Sequence, residues 1–131
     1  MATRFLGTVE APIDMKIKEK MADKKTDERN TTVVLGPLHN ATRVFLNDVS
    51  KKINELEKGE AVDFSQLAPY ATGKRTRKMW QETGDWNDAM WSCGQSVGLI
   101  DDIPTCKELV HRIVVEAEEQ LLAGAKRVSK L

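Results

Sequence analysis

Residues 1–12 read "MATRFLGTVEAP". Phe5, Leu6 and Val9 are aromatic or apolar, Thr3 and Thr8 are β-branched, and Gly7 punctuates the run, so the pattern predicts a strand over residues 1–9. The chain begins inside that strand, with no lead-in. A lone strand cannot satisfy the backbone groups on its two edges. The only other β-rich run is the short "TTVVLG" at 31–36. The sequence therefore reads as part of something larger.

Outward from this segment the chain is mainly helical. "APIDMKIKEKMADKK" predicts a short helix started by Pro12 and Asp14, with Met15, Ile17 and Met21 as its apolar positions. Ala41, Phe45, Val49, Ile53 and Leu56 recur at spacings of three and four and predict a helix from near Asn40 to Glu57. "VDFSQLAPYATG" reads as a helical turn ending before Pro69, and "KRTRKMWQETG" as a helix stopped by Gly84. Near the end, Thr105 and Glu108 form a T-x-x-E capping box behind Pro104. Leu109, Ile113, Ala117 and Leu121, flanked by Cys106, Val110 and Val114, predict an amphipathic helix to Ala123, stopped by Gly124. Three regions follow: 1–14, a strand and the start of its loop; 15–90, a helical extension; and 91–131, a return segment and terminal helix.

Composition narrows the function. The 131 residues carry 20 basic and 20 acidic side chains, so no global field draws nucleic acid or an anionic membrane. No apolar run approaches the roughly 20 residues of a membrane span. The N-terminus is too short in apolar residues for a signal peptide. Cys93 and Cys106 lack metal or disulfide spacing and read as reduced thiols, which favours a cytoplasmic location. His39 and His111 have no ligand partners at useful spacing and read as structural or surface residues. "GKRTRK" (73–78) reads as a solvated helix face. "GDWNDAMW" (84–91) lacks the register of a calcium loop, and Trp80, Trp86 and Trp91 read as packing anchors.

"WSCGQSVGLI" (91–100) is less ordinary. Trp91, Val97, Leu99 and Ile100 mark it as buried, yet it carries Gly94, Gly98, Cys93, Gln95, Ser92 and Ser96. Either the glycines only allow helices to pack closely, or the backbone must approach something that is not protein.

The opening "MATRFLGTVEAP", this stretch, and "DIPTCKELVHRIVVEAE" together resemble the C-terminal part of the nitronate monooxygenases, the 2-nitropropane dioxygenase-type flavoproteins. In that family a last barrel strand of the type M-G-T-R-F precedes S-A-G-Q-x-x-G-L-I and a closing amphipathic helix. The resemblance implies an FMN-dependent enzyme on a (β/α)8 TIM barrel, of α/β class. This chain would supply its C-terminal fragment, the last strand plus a mainly helical extension with one or two short strands. Such enzymes oxidise alkyl nitronates with molecular oxygen.

By the same resemblance Ala2 and Thr3 match the family's Gly-Thr at the FMN phosphate, Ala2 adding a methyl where the backbone nears the anion. Ser92, Gly94 and Gln95 match S-A-G-Q beside the flavin, with Cys93 in place of Ala. The family's catalytic His lies upstream, and neither His39 nor His111 matches it. No catalytic residue or metal is therefore assigned here, and the chain is expected to be inactive alone and to bind FMN weakly or not at all. The motifs are shared with flavin-dependent enoyl-ACP reductases. A further reading is a helical interaction module without a cofactor.

Overall fold

A computed structural model describes residues 1–59 and 62–129. The elements are mainly helical, with two short strands, in line with the expected fold class. The order is α1 (Ala2–Leu6), α2 (Met15–Met21), β1 (Thr31–Val34), β2 (Thr42–Phe45), α3 (Asp48–Leu56), α4 (Phe64–Ala71), α5 (Gly73–Lys78) and α6 (Cys106–Val128). A π-helical turn over Met79–Thr83 prolongs α5, and 3-10 turns cover Glu28–Asn30 and Gln95–Leu99.

The strand expected over residues 1–9 is instead the single-turn helix α1 followed by turns. Among the described residues nothing offers this segment a ladder. Its backbone closes on itself, Arg4 and Phe5 both donating to the Met1 carbonyl at 3.0 and 3.3 Å. Local bonds satisfy what a sheet neighbour would otherwise have to satisfy.

The helix expected from Asn40 also starts late. Residues 42–45 pair with β1 in an antiparallel hairpin, Thr31 opposite Phe45 and Val34 opposite Thr42. Thr42, Val44 and Phe45 suit a strand, and the hairpin buries both Val44 and Phe45. Helix α3 begins only where Asn47 caps it. The Asn47 side chain accepts from the Ser50 N–H at 2.9 Å and the Ser50 hydroxyl accepts from the Asn47 N–H at 2.9 Å. Val49 and Ile53 still line the buried face, as the spacing of the apolar positions required.

Two further boundaries move. Helix α4 continues through Pro69, and α6 runs past Gly124 to Val128. Gly124 has a helical neighbour on each side, so it is only a weak interior position. The capping box at Thr105 and Glu108 is present as expected, and Gly84 ends the α5 extension in a left-handed conformation with φ of 63°.

Two apolar clusters hold the fold. The first joins Ile13, Ile17 and Met21 to Phe45, Met79, Trp91, Cys93, Val97 and Ile100. Phe45 stacks on Trp91 at 4.7 Å between ring centroids and meets Trp86 edge-on at 5.7 Å. The second cluster, around Val34, Val44, Ile53 and Leu67, fills the hairpin, α3 and α4. The expected stripe on α6 is buried only at Leu109, while Val110, Val114 and Leu121 face solvent.

Candidate functional site

Residues 91–93 join the hairpin as a third, one-bridge strand. Val44 pairs with Ser92, the Phe45 N–H donates to the Trp91 carbonyl (3.1 Å), and the Cys93 N–H donates to the Arg43 carbonyl (3.2 Å). Alternation then sends Trp91 and Cys93 into the core and leaves Ser92 exposed. The chain next tightens into the 3-10 turn at Gln95–Leu99, which buries Val97 and leaves Gln95 and Ser96 outward. Leu99, expected inside, is 84% exposed, because the turn puts it on the same outer side.

The opening segment folds against this turn. The Gly94 N–H donates to the Thr3 hydroxyl at 2.9 Å. Arg4 reaches the Asp102 carboxylate and carbonyl, the Val9 N–H donates to the Pro104 carbonyl (3.0 Å), and the Glu10 carboxylate accepts from the Cys106 N–H (2.9 and 3.0 Å). That backbone hydrogen bond from Cys106 holds the Glu10 carboxyl below its ordinary range. Residues 1–10 and 94–106 are thus fastened together along their length. Of the five residues singled out from sequence, Thr3 and Gly94 touch, and Ser92 and Gln95 lie exposed on the same connected stretch. Ala2 is exposed at the start of α1.

The two glycines of the stretch do different things. A Cβ on Gly98 would lie 2.7 Å from the Glu28 backbone nitrogen and 3.0 Å from the Asp27 backbone, so close packing of two turns excludes any side chain there. A Cβ on Gly94 would meet only side-chain oxygens, Thr3 Oγ1 at 3.2 Å and Ser96 Oγ at 3.7 Å. Hydroxyls can rotate away; backbone cannot.

The Thr3 hydroxyl, which already accepts the Gly94 N–H, and the exposed Ser92 and Gln95 are uncharged hydrogen-bonding groups of the kind that can orient a phosphate or a flavin edge. The set lacks a free cation, since Arg4 is held by Asp102. Cys93 is buried beside it, and burial pushes its thiol up to about 12. At neutral pH it is therefore a small apolar filler and not a nucleophile.

The remaining motifs resolve into structure. Asn87 bridges the Asp48 N–H (2.8 Å) and carboxylate (2.6 Å), and the Asn47 amide donates to the Trp86 and Ala89 carbonyls (2.9 and 2.8 Å). The loop at 84–91 is thereby a docking point for α3. Among the described residues no group of His, Cys, Asp and Glu could hold a metal ion, and no described helix is long and apolar enough to cross a membrane. Sequence reasoning missed the Arg4–Asp102 pair, which Arg112 joins, and the Glu10–Cys106 link; both tie residues about a hundred positions apart and leave no local signal. The Asn47 cap of α3, an Asn three residues ahead of Ser50, carries a local signal that sequence reasoning did not use.

The nitronate monooxygenase family model matches residues 1–116. The chain belongs to that family. It is also similar to solved structures of FabK from Thermotoga maritima. One has a TM-score of 0.79 and 31% identity over 94% of this chain and 38% of that one. A methionine-to-alanine mutant of the same protein has a TM-score of 0.69 and 29% identity over 94% of this chain and 35% of that one. The chain thus spans little more than a third of the structures it matches.

Proposed function

We propose that this chain is the C-terminal part of an FMN-dependent nitronate monooxygenase that oxidises alkyl nitronates with molecular oxygen. The observation that carries the reading is the 2.9 Å hydrogen bond from the Gly94 amide to the Thr3 hydroxyl, which joins the two segments that resemble the family's motifs. FMN, when bound, supplies the redox chemistry, and the protein supplies binding, orientation and electrostatics. In that assignment Thr3 and the backbone beside Ala2 hold the phosphate. Gly94 permits close approach, and Ser92 and Gln95 orient the flavin edge. In this reading residues 1–14 supply the last barrel strand and the start of the following loop in the complete enzyme, where the segment that forms α1 (Ala2–Leu6) here would pair with strand neighbours.

The chain alone is expected to bind FMN weakly, since this wall leaves the isoalloxazine uncovered. A stoichiometric yellow complex with micromolar or tighter affinity would overturn that expectation. Activity is tested in a complete barrel enzyme ending in this segment, by FMN-dependent oxygen uptake with propyl-2-nitronate. Oxidation of NAD(P)H that depends on an enoyl thioester, without nitronate turnover, would place the chain with the enoyl-ACP reductases that share its motifs.

A further inference from the structure

The run "GKRTRK" forms α5, and neither apolar cluster nor the Thr3–Gly94 wall uses its charges. Two side chains fasten one face of the helix. Arg75 Nε donates to the Asp88 carbonyl, and Thr76 Oγ1 donates to the Met90 carbonyl at 2.6 Å. Lys74, Arg77 and Lys78, three and four apart, share the other, exposed face. Like charges at this spacing repel by a few tenths of a kcal/mol per pair. Among the described residues none of the four cations is paired with a carboxylate, whereas Arg4, Lys20, Arg29, Lys51, Lys52 and Arg112 all are.

A cleft of about 510 Å³ is lined by Lys74, Arg75, Arg77 and Lys78, together with Thr72 and Glu82. One carboxylate against four cations leaves an excess of three positive charges. A second groove of about 430 Å³ runs past Pro12, Trp80, Met90 and Trp91 to Ser92. Arg77 lines both. Arg77 therefore stands where a cationic cleft meets a more apolar one, and the planar fork of a guanidinium suits bidentate contact with phosphate. Both volumes lie in the range of small-molecule sites. A nucleic acid would instead need a long basic stripe, and the chain as a whole is neutral.

We propose that α5 binds a phosphate-bearing small molecule. Its phosphate rests on Lys74, Arg77 and Lys78, and its apolar body lies against Trp80 in the groove towards Ser92. The phosphate contacts on Lys74, Arg77 and Lys78 stand apart from Thr3 and Gly94, and the groove meets the proposed flavin wall only at Ser92.

The test is amide and indole NMR of the nitrogen-15-labelled 131-residue chain, titrated separately with pyrophosphate, 1-naphthyl phosphate and 1-naphthol. Pyrophosphate should shift resonances of residues 72–82. 1-Naphthyl phosphate should shift these and the Trp80 indole, and bind more tightly than either other probe. Arg77→Gln should weaken 1-naphthyl phosphate at least tenfold with unchanged spectral dispersion, while Lys24→Gln, an exposed lysine outside both clefts, should leave it as it was. Absence of saturable shifts at millimolar phosphate would overturn the proposal, as would equal affinity of the Arg77 variant. So would tighter binding of oligothymidylate or polyglutamate on the same residues, which would make the partner a macromolecule.

Discussion

Replacing Gly98 by alanine should destabilise the chain far more than the same change at Gly94. The 3-10 turn at 95–99 packs its glycine against the turn at 28–30. An added methyl at Gly98 would stand 2.7 Å from the Glu28 nitrogen and 3.0 Å from two backbone atoms of Asp27. Neither backbone position can yield by side-chain rotation, and Asp27 is further tied by its capping box with Asn30. Forcing a methyl into such a contact costs about 1–3 kcal/mol. For a chain of this length that is a fall in Tm of roughly 4–12 °C. Gly94→Ala meets the Thr3 and Ser96 hydroxyls instead. These can turn away, at most giving up the Gly94–Thr3 hydrogen bond, worth about 0.5–1.5 kcal/mol. Thermal unfolding followed by near-ultraviolet circular dichroism measures both, with Trp91 as the reporter. Equal shifts for the two variants, or a larger shift at Gly94, would refute the assignment of Gly98 to packing and of Gly94 to an open wall.

Thr105→Ala removes the hydroxyl that accepts from the Glu108 N–H at 3.2 Å, and should cost about 1 kcal/mol, read as a lower Tm and lost helicity. Iodoacetamide at pH 8 should label the half-buried Cys106 and spare the buried Cys93 in the native chain, as peptide mass spectrometry would show. The Cys93 thiol is raised from 9.0 to about 12 by burial, so the folded state holds its proton longer than the unfolded one. Its contribution to stability is complete below pH 9 and is lost as pH rises towards 12, which denaturant titrations across that window should show. Asp102 has the opposite sign. Arg112 foremost, with Arg4 beside it, holds its carboxyl below 3.8, so its contribution is complete above that pH and is lost as pH falls through the lowered value. With the Asp102 side chain 40% exposed, Asp102→Asn should cost no more than about 1 kcal/mol at pH 7.

What the sequence made legible was mostly local. The Thr105–Glu108 box and the Gly84 stop rest on local signals and stand in the structure, as do Ile17 and Met21 of the expected apolar face of α2, whereas Met15 of that face is exposed. Phe45 shows the limit. Its spacing to Val49 and Ile53 fits a helix, yet the same side chain fits a strand. Pairing with Thr31 and stacking on Trp91, 46 positions away, decide between them. Residues 1–9 show the same limit in reverse. Their composition suits a strand, but strand form requires neighbours, and among the described residues none pairs with this segment, whose Ala2–Leu6 turns helical. In the candidate site the residue types were legible, because glycine and hydroxyl side chains in an apolar stretch are conspicuous. The contact of Thr3 with Gly94, and the packing of Gly98 on Asp27 and Glu28, depend on tertiary approach and left no mark in the local pattern.

The central claim is that Thr3, brought against Gly94, holds flavin in the complete enzyme. FMN titration of a complete barrel enzyme ending in this segment, with Thr3→Ala beside the unaltered protein, tests it most directly. The account predicts at least tenfold weaker FMN binding in the variant, with a Tm measured without FMN that changes by no more than the loss of one half-buried hydrogen bond, about 1 kcal/mol, allows. Unchanged FMN affinity would contradict it, and would leave the Thr3–Gly94 contact a fastening between two segments and nothing more.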